Sequence, residues 1–203
     1  MDLPFKVVLL GKERVGKTSL FNRFLKDRFD SGTTRRTTGT SYGDKAIEVD
    51  GRNIYVGLWD TAGVEKFHAL SPFYFRGAQA AVVCYDVTSK PSFEEAMLCV
   101  KSMKAYEEAC KIYLTGTKFD LVDSGRKKKV SLQSVTEYAQ DIAAEVFETS
   151  SKTGYNVKEL FLKIAKDFAE VSMEPRVEAF DANADTITLE EVPSKTSKTT
   201  CSC

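Results

Sequence analysis

The eight residues Gly11-Lys12-Glu13-Arg14-Val15-Gly16-Lys17-Thr18 fit the pattern G-x-x-x-x-G-K-[ST] and sit between two runs of different period. Before them, Phe5-Lys6-Val7-Val8-Leu9-Leu10 reads as a short buried strand. After them, Leu20, Phe21, Phe24 and Leu25 recur on one face of a helix that begins at the loop. Strand, glycine-rich loop and helix in this order turn backbone N–H groups inward on an anion at the positive end of a helix. The spacing therefore points to the phosphates of a nucleoside triphosphate. Backbone amides around Glu13, Arg14, Val15, Gly16 and Ser19 would cradle them, Lys17 would supply a cation at the β/γ oxygens, and Thr18 a hydroxyl for Mg2+.

The rest of the chain repeats the alternation. Ala46–Val49 and Ile54–Trp59 flank Asp50-Gly51-Arg52-Asn53, and Asp-Gly between two β-prone runs signals a hairpin. Ala80–Tyr85, Lys111–Thr115 and Glu145–Thr149 are further short strands. Phe93, Ala96, Met97, Val100 and Met103 keep helical spacing, as do Val135, Tyr138, Ala139 and Ile142, and then Val157, Leu160, Phe161, Ile164, Ala165 and Phe168. Six strands alternating with helices predict an α/β fold, a mostly parallel six-stranded sheet with helices on both faces and a ligand at the carboxyl ends of the strands. Residues 28–42 carry no period and form a loop of a length that usually serves function.

At 203 residues and 42% hydrophobic, the chain has enough for one full core. The pattern stops near Val171, so residues 1–171 are expected to form the domain. Residues 172–203, rich in Pro, Thr, Ser, Glu and Lys, are expected to be a disordered tail. The formal net charge is zero, which gives no electrostatic reason to expect nucleic acid as partner. Arg126-Lys127-Lys128-Lys129 reads as a solvated loop. No apolar stretch approaches the roughly 20 residues that span a bilayer, and the N-terminus lacks the run of a signal peptide, so a cytoplasmic body is expected. The sequence carries no signal of oligomeric state, and monomer is the default. Cys84, Cys99 and Cys110 lie in apolar segments as small core residues. The lone His68 has no ligand cluster around it. Cys201 and Cys203 close the chain as Cys-Ser-Cys, with no packing need to explain them.

Three later motifs make the first specific. In Asp60-Thr61-Ala62-Gly63, a carboxylate just past a buried strand can hold a water on Mg2+, and the Gly63 N–H can approach a γ-phosphate. Thr117-Lys118-Phe119-Asp120 and Thr149-Ser150-Ser151-Lys152 follow. The ordered set resembles the Ras-like small GTPases of the P-loop NTPase class, over residues 5 to about 170. The resemblance makes Asp120 the base reader. A carboxylate only accepts, so it pairs with the N1–H and 2-amino group of guanine, whereas adenine meets it with a lone pair. Lys118 would lie along the base, Ser151 would offer an N–H to the guanine carbonyl, and Ser150 and Lys152 would complete the loop. GTP/GDP and Mg2+ are the implied ligands, with Thr18, Thr37 and Asp60 at the metal.

Within that group the chain resembles the Rab subfamily. Thr37-Thr38-Gly39-Thr40-Ser41-Tyr42 matches the first switch, with Thr37 sensing Mg2+ when the γ-phosphate is present. Lys66–Ser71 and Tyr74-Phe75-Arg76-Gly77-Ala78 match the second switch region. Tyr42, Trp59 and Tyr74 fall at the aromatic triad that touches effectors, although ordinary core packing also accounts for such rings. Cys201-Ser202-Cys203 has the form of a doubly geranylgeranylated end, and two lipids give stable anchoring where one does not. From Val171 onward six acids (Glu174, Glu178, Asp181, Asp185, Glu190, Glu191) outnumber three bases (Arg176, Lys195, Lys198), so attraction to anionic lipid is weak and attachment rests on the lipids. The resemblance implies effectors, an exchange factor, Rab escort protein and GDP-dissociation inhibitor as partners. It also implies membrane trafficking on the cytosolic face of endomembranes.

Four positions depart from the family pattern. Val64 stands where a glutamine orients the attacking water, so intrinsic hydrolysis is expected to be very slow. Glu13 and Arg14 stand where relatives carry small residues near the γ-phosphate; Arg14 either turns to solvent or serves as an internal finger. Thr117 replaces asparagine, and its shorter hydroxyl is expected to reach less, with some loss of nucleotide affinity. Together these features resemble the atypical, autophagy-associated Rab branch. A nucleotide-locked scaffold with negligible turnover stays open as an alternative. A P-loop kinase is disfavoured by Asp120 and by the lack of a second-substrate lid.

Overall fold

The computed structural model describes residues 4–31, 39–61 and 75–173. Its elements in chain order are β1 (Phe5–Leu10), α1 (Lys17–Lys26), β2 (Ser41–Val49), β3 (Arg52–Asp60), β4 (Ala80–Asp86), α2 (Lys90–Tyr106) and β5 (Lys111–Thr117). They continue with α3 (Asp120–Asp123), α4 (Leu132–Asp141), β6 (Glu145–Glu148) and α5 (Val157–Met173). The six strands form one sheet in the order β2-β3-β1-β4-β5-β6. β2 runs antiparallel to β3, and every other pairing is parallel.

β1 lies at the centre of this order because it is apolar on both faces, as a parallel strand covered on two sides must be. Val7 and Leu9 point to one core, and Val8 and Leu10 to the other; all four are buried. The first core takes Leu20, Phe21 and Phe24 from α1 with Leu160, Phe161 and Ile164 from α5. The rings of Phe24 and Phe161 stack with centroids 3.7 Å apart. The second core takes Phe93, Ala96, Val100 and Met103 from α2 with Val135 and Ala139 from α4. Burying each such large side chain contributes about 1.5–3 kcal/mol. Cys84, Cys99 and Cys110 are all buried within these cores, and burial pushes their thiols up to about 12, 11 and 12 respectively.

The hairpin turns at Asp50 and Gly51, with φ of 49° and 76°. Val49 pairs with Arg52. Two left-handed residues in a two-residue loop suit the right-handed twist of the flanking strands. Both strands outrun their apolar cores: β2 begins at Ser41 and β3 ends at Asp60. β2 is an edge strand and mostly exposed. Its polar half is held by ladder hydrogen bonds to β3, which hydrophobic periodicity does not register. The one-turn helix α3 has no apolar stripe and was equally invisible. At the chain's far end α5 continues to Met173, slightly past the expected boundary.

The parallel arrangement brings the carboxyl ends of β1, β3, β4, β5 and β6 to one edge, and with them the loops that carry every motif in the described part of the sequence. The opposite edge is closed by a charge cluster. Asp167 of α5 is buried and accepts from the Tyr113 hydroxyl at 2.6 Å and from the Lys163 ammonium at 2.7 Å. It also pairs with the Lys111 ammonium at 2.8 Å. Burial pushes the Asp167 carboxyl up, but the bonds from Lys111, Lys163 and Tyr113 outweigh it and hold the group below the usual carboxylate range. A depressed folded value contributes stability that is present above the unfolded pKa of about 3.9 and is lost as pH falls through the folded one. Asp167→Asn is therefore expected to cost about 1–3 kcal/mol at pH 7. In urea unfolding, its deficit against the unsubstituted protein should shrink below about pH 4; a deficit unchanged down to pH 2 would contradict this role of the Asp167 cluster.

Candidate functional site

The loop after β1 is built by two glycines. Gly11 has φ of 124°, and a Cβ placed on it would stand 2.2 Å from the Cys84 carbonyl oxygen of β4. Only glycine lets the backbone pass that close. Gly16, with φ of 109°, is the N-cap of α1, and no side chain caps that helix. An anion at this helix start meets both the loop amides and the positive end of the helix. Lys17 is buried and its ammonium donates to the Gly11 and Lys12 carbonyls at 2.6 and 2.8 Å, which pins the cation across the loop. Arg14 adopts φ of 62° and is exposed, while Glu13 is half-buried.

Thr18 donates to Asp60 Oδ2 at 2.7 Å, linking α1 to the end of β3. Asp60 is fully buried, and its Oδ1 has no hydrogen-bond partner among the described residues. Burial pushes the Asp60 carboxyl above its usual range, against the opposing pull of the Thr18 hydroxyl and the Lys17 ammonium. A buried carboxylate with a spare oxygen beside a threonine hydroxyl fits Mg2+, which takes one or two protein oxygens and leaves its other positions to water and phosphate. Among the described residues no three histidine, cysteine or acidic side chains gather as a self-sufficient metal cage. Thr61 donates to the Leu9 carbonyl at 2.7 Å and so fastens the end of β3 to β1.

The second half of the site follows β5 and β6. The Thr117 hydroxyl lies 2.5 Å from the Val15 carbonyl of the phosphate loop and 2.9 Å from the Tyr85 carbonyl, so its single proton ties β5 to that loop or to β4. The threonine thus touches the loop after β1, because Val15 approaches β5 closely enough. Lys118 takes φ of 61° and pairs with Asp86 at 2.8 Å. Burial raises the Asp86 carboxyl, but bonds from Lys118 and Thr88 outweigh it and hold it below the usual range. Asp120 opens α3, and its Oδ1 accepts from the Ser150 hydroxyl at 2.6 Å. The Phe119 N–H donates to the Thr149 carbonyl at 3.1 Å, which closes the two loops on each other. Ser151 is buried. Its carbonyl and that of Lys152 accept from Arg23 of α1 at 2.7 and 2.9 Å.

Val15, Gly16, Lys17, Thr18, Ser19, Asp60, Thr117, Lys118, Asp120, Ser150, Ser151 and Lys152 thus gather at the carboxyl edge of the sheet. Thr37, Gly63, Val64, Tyr74, Cys201 and Cys203 lie outside the described residues. Tyr42 and Trp59 are register partners across β2 and β3, with ring centroids 5.0 Å apart, and Tyr42 is exposed. In the basic run Arg126, Lys127 and Lys129 are exposed as expected, whereas Lys128 turns in to Glu148 at 2.5 Å. Sequence reasoning missed Asp86 and Arg23. Asp86 could have been noticed as an acid ending a wholly apolar strand. Arg23 carries no signal, since a base late in a helix is ordinary.

A family model described as the Ras family matches residues 6–170. The Ras-related protein Rab-24 of Dictyostelium discoideum is 40% identical over 168 residues, which cover 83% of this chain and 82% of that protein. No helix among the described residues is long and apolar enough to cross a membrane. Thr117→Val should leave the Val15 and Tyr85 carbonyls without their hydroxyl, at about 0.5–1.5 kcal/mol. Dissociation of bound nucleotide, followed by fluorescence, should quicken roughly 2–13-fold; an unchanged rate would show that the tie to Val15 contributes nothing to retention.

Proposed function

The chain belongs to the Ras family of small GTPases, and from that premise we propose that it is a GTP-binding switch of the Rab type. In this reading it stays loaded with GTP for long periods and acts in vesicle or autophagosome trafficking. Members of the family bind GTP and GDP with Mg2+ and hydrolyse GTP. What most supports the reading here is the convergence on one edge of a glycine-built phosphate loop, the Thr18–Asp60 pair and Asp120.

In this reading Lys17 leaves its two loop carbonyls for the phosphate oxygens, and the amides from Glu13 to Ser19 hold the phosphates in place. Thr18, Thr37 and Asp60 hold Mg2+, which supplies charge neutralisation at those oxygens when bound. Asp120 selects guanine, Lys118 lies along the base, and the loop Ser150-Ser151-Lys152 receives the guanine carbonyl. Thr37 and Gly63 order the two switches on the γ-phosphate, so that Tyr42, Trp59 and Tyr74 face an effector. Val64 has neither donor nor acceptor and leaves the attacking water without orientation, so cycling depends on an exchange factor more than on hydrolysis. Exposed Arg14 fits a solvent-facing role better than an internal finger. Beyond the domain, which α5 carries to Met173, the segment that follows carries prenyl groups on Cys201 and Cys203 for membrane attachment. Rab escort protein and GDP-dissociation inhibitor would handle those lipids.

Mass spectrometry of nucleotide released from the purified protein, read with single-turnover rates, tests the switch. Guanosine phosphates with slow turnover that Val64→Gln accelerates are expected. Persistent GTP without measurable turnover would favour the locked scaffold, and adenosine phosphates would refute the assignment of Asp120. Replacing Cys201 and Cys203 with serine should move the protein entirely to the supernatant of fractionated cells; substantial retention in the membrane pellet would refute anchoring by the two lipids.

A further inference from the structure

Arg23 lies late in α1, where a cation ordinarily does no more than face the negative end of a helix. Its side chain is only 16% exposed, and its guanidinium is spent on a defined set of acceptors. Nε donates to the Ser151 carbonyl at 2.7 Å and Nη2 to the Lys152 carbonyl at 2.9 Å. Nη1 donates to the Asp27 carbonyl and carboxylate, each at 3.0 Å. Asp27, in the left-handed conformation at the end of α1, holds the fork from its far side.

The two loop carbonyls matter because of what lies behind them. In a trans peptide the C=O and the following N–H point in opposite directions. Drawing the Lys152 carbonyl toward α1 therefore turns the Thr153 N–H away from it, and that N–H donates to Ser150 Oγ at 3.2 Å. The Ser150 hydroxyl, its oxygen so engaged, donates its proton to Asp120 Oδ1 at 2.6 Å. A continuous run of hydrogen bonds thus leads from the guanidinium, through one peptide and one hydroxyl, to the carboxylate. Such runs polarise each member along one direction. At its other end, α1 begins in the phosphate loop with Lys17 and Thr18.

We propose that Arg23 is a positioning residue for base selection. By fixing the Lys152–Thr153 peptide it sets the Ser150 hydroxyl, and through it the orientation of Asp120, so that the phosphate helix and the base loop grip one nucleotide as a unit. This rests on the reading of Asp120 as the guanine reader.

The full-length protein, loaded in turn with GDP and with inosine diphosphate, provides the test. Inosine lacks the 2-amino group and offers Asp120 one donor where guanine offers two. In the unsubstituted protein GDP should dissociate several-fold more slowly than the inosine form. Arg23→Met should speed GDP release roughly tenfold and the inosine form much less, collapsing the ratio toward one. Arg23→Lys, which keeps the charge but cannot fork to two carbonyls, should fall between them and serves if the methionine variant does not fold. Ser150→Ala should collapse the ratio alone and add little on top of Arg23→Met. Equal acceleration of both nucleotides by either Arg23 variant would reduce Arg23 to a structural tie and overturn the proposal. Absence of any preference in the unsubstituted protein would instead sink the role of Asp120, and the proposal with it.

Discussion

The loop after β1 lies almost in contact with β4, and the described site is arranged around that approach. Gly11 passes so near the Cys84 carbonyl that no side chain fits between them. Lys17 is held on the Gly11 and Lys12 carbonyls, and Thr18 on Asp60 at the end of β3, so both side chains are fixed against elements of the sheet. Buried apolar runs in β1 and β4 stabilise that sheet, since both strands carry a core on each face.

The second requirement is that segments distant in sequence act as one surface. Thr117 reaches the Val15 carbonyl, Arg23 reaches the loop after β6, and Lys118 is tied to Asp86 at the end of β4. Each bond is modest on its own, about 0.5–1.5 kcal/mol, or more where a charge takes part. Their value lies in crossing between elements. The loop after β1 and the loops after β5 and β6 are thus both anchored on α1 and β5.

Much of this was legible before any coordinates. The glycine-rich loop, the hairpin at Asp50-Gly51 and the alternation of strand and helix follow from motif spacing, turn residues and apolar spacing, because those signals are local. The polar beginning of β2, the single turn α3 and the reach of Thr117 were not legible. The first depends on a ladder offered by another strand, the second has no buried face, and the third depends on how closely two loops approach. Arg23 is the extreme case: in sequence it is one base among many, and its meaning comes wholly from two carbonyls contributed by residues 151 and 152.

The order of motifs along the chain, the glycines that permit the loop, and the donors and acceptors available to a phosphate, a cation and a base were determined by the sequence itself, since chemistry of this kind travels with residue type. Which oxygen of Asp60 is left without a partner among the described residues, which carbonyls hold Lys17, and which hydroxyl donates to Asp120 were decided only by the tertiary structure. Hydrogen bonds turn on tenths of an ångström and on direction, and those are fixed when distant segments pack together, not by the segments themselves.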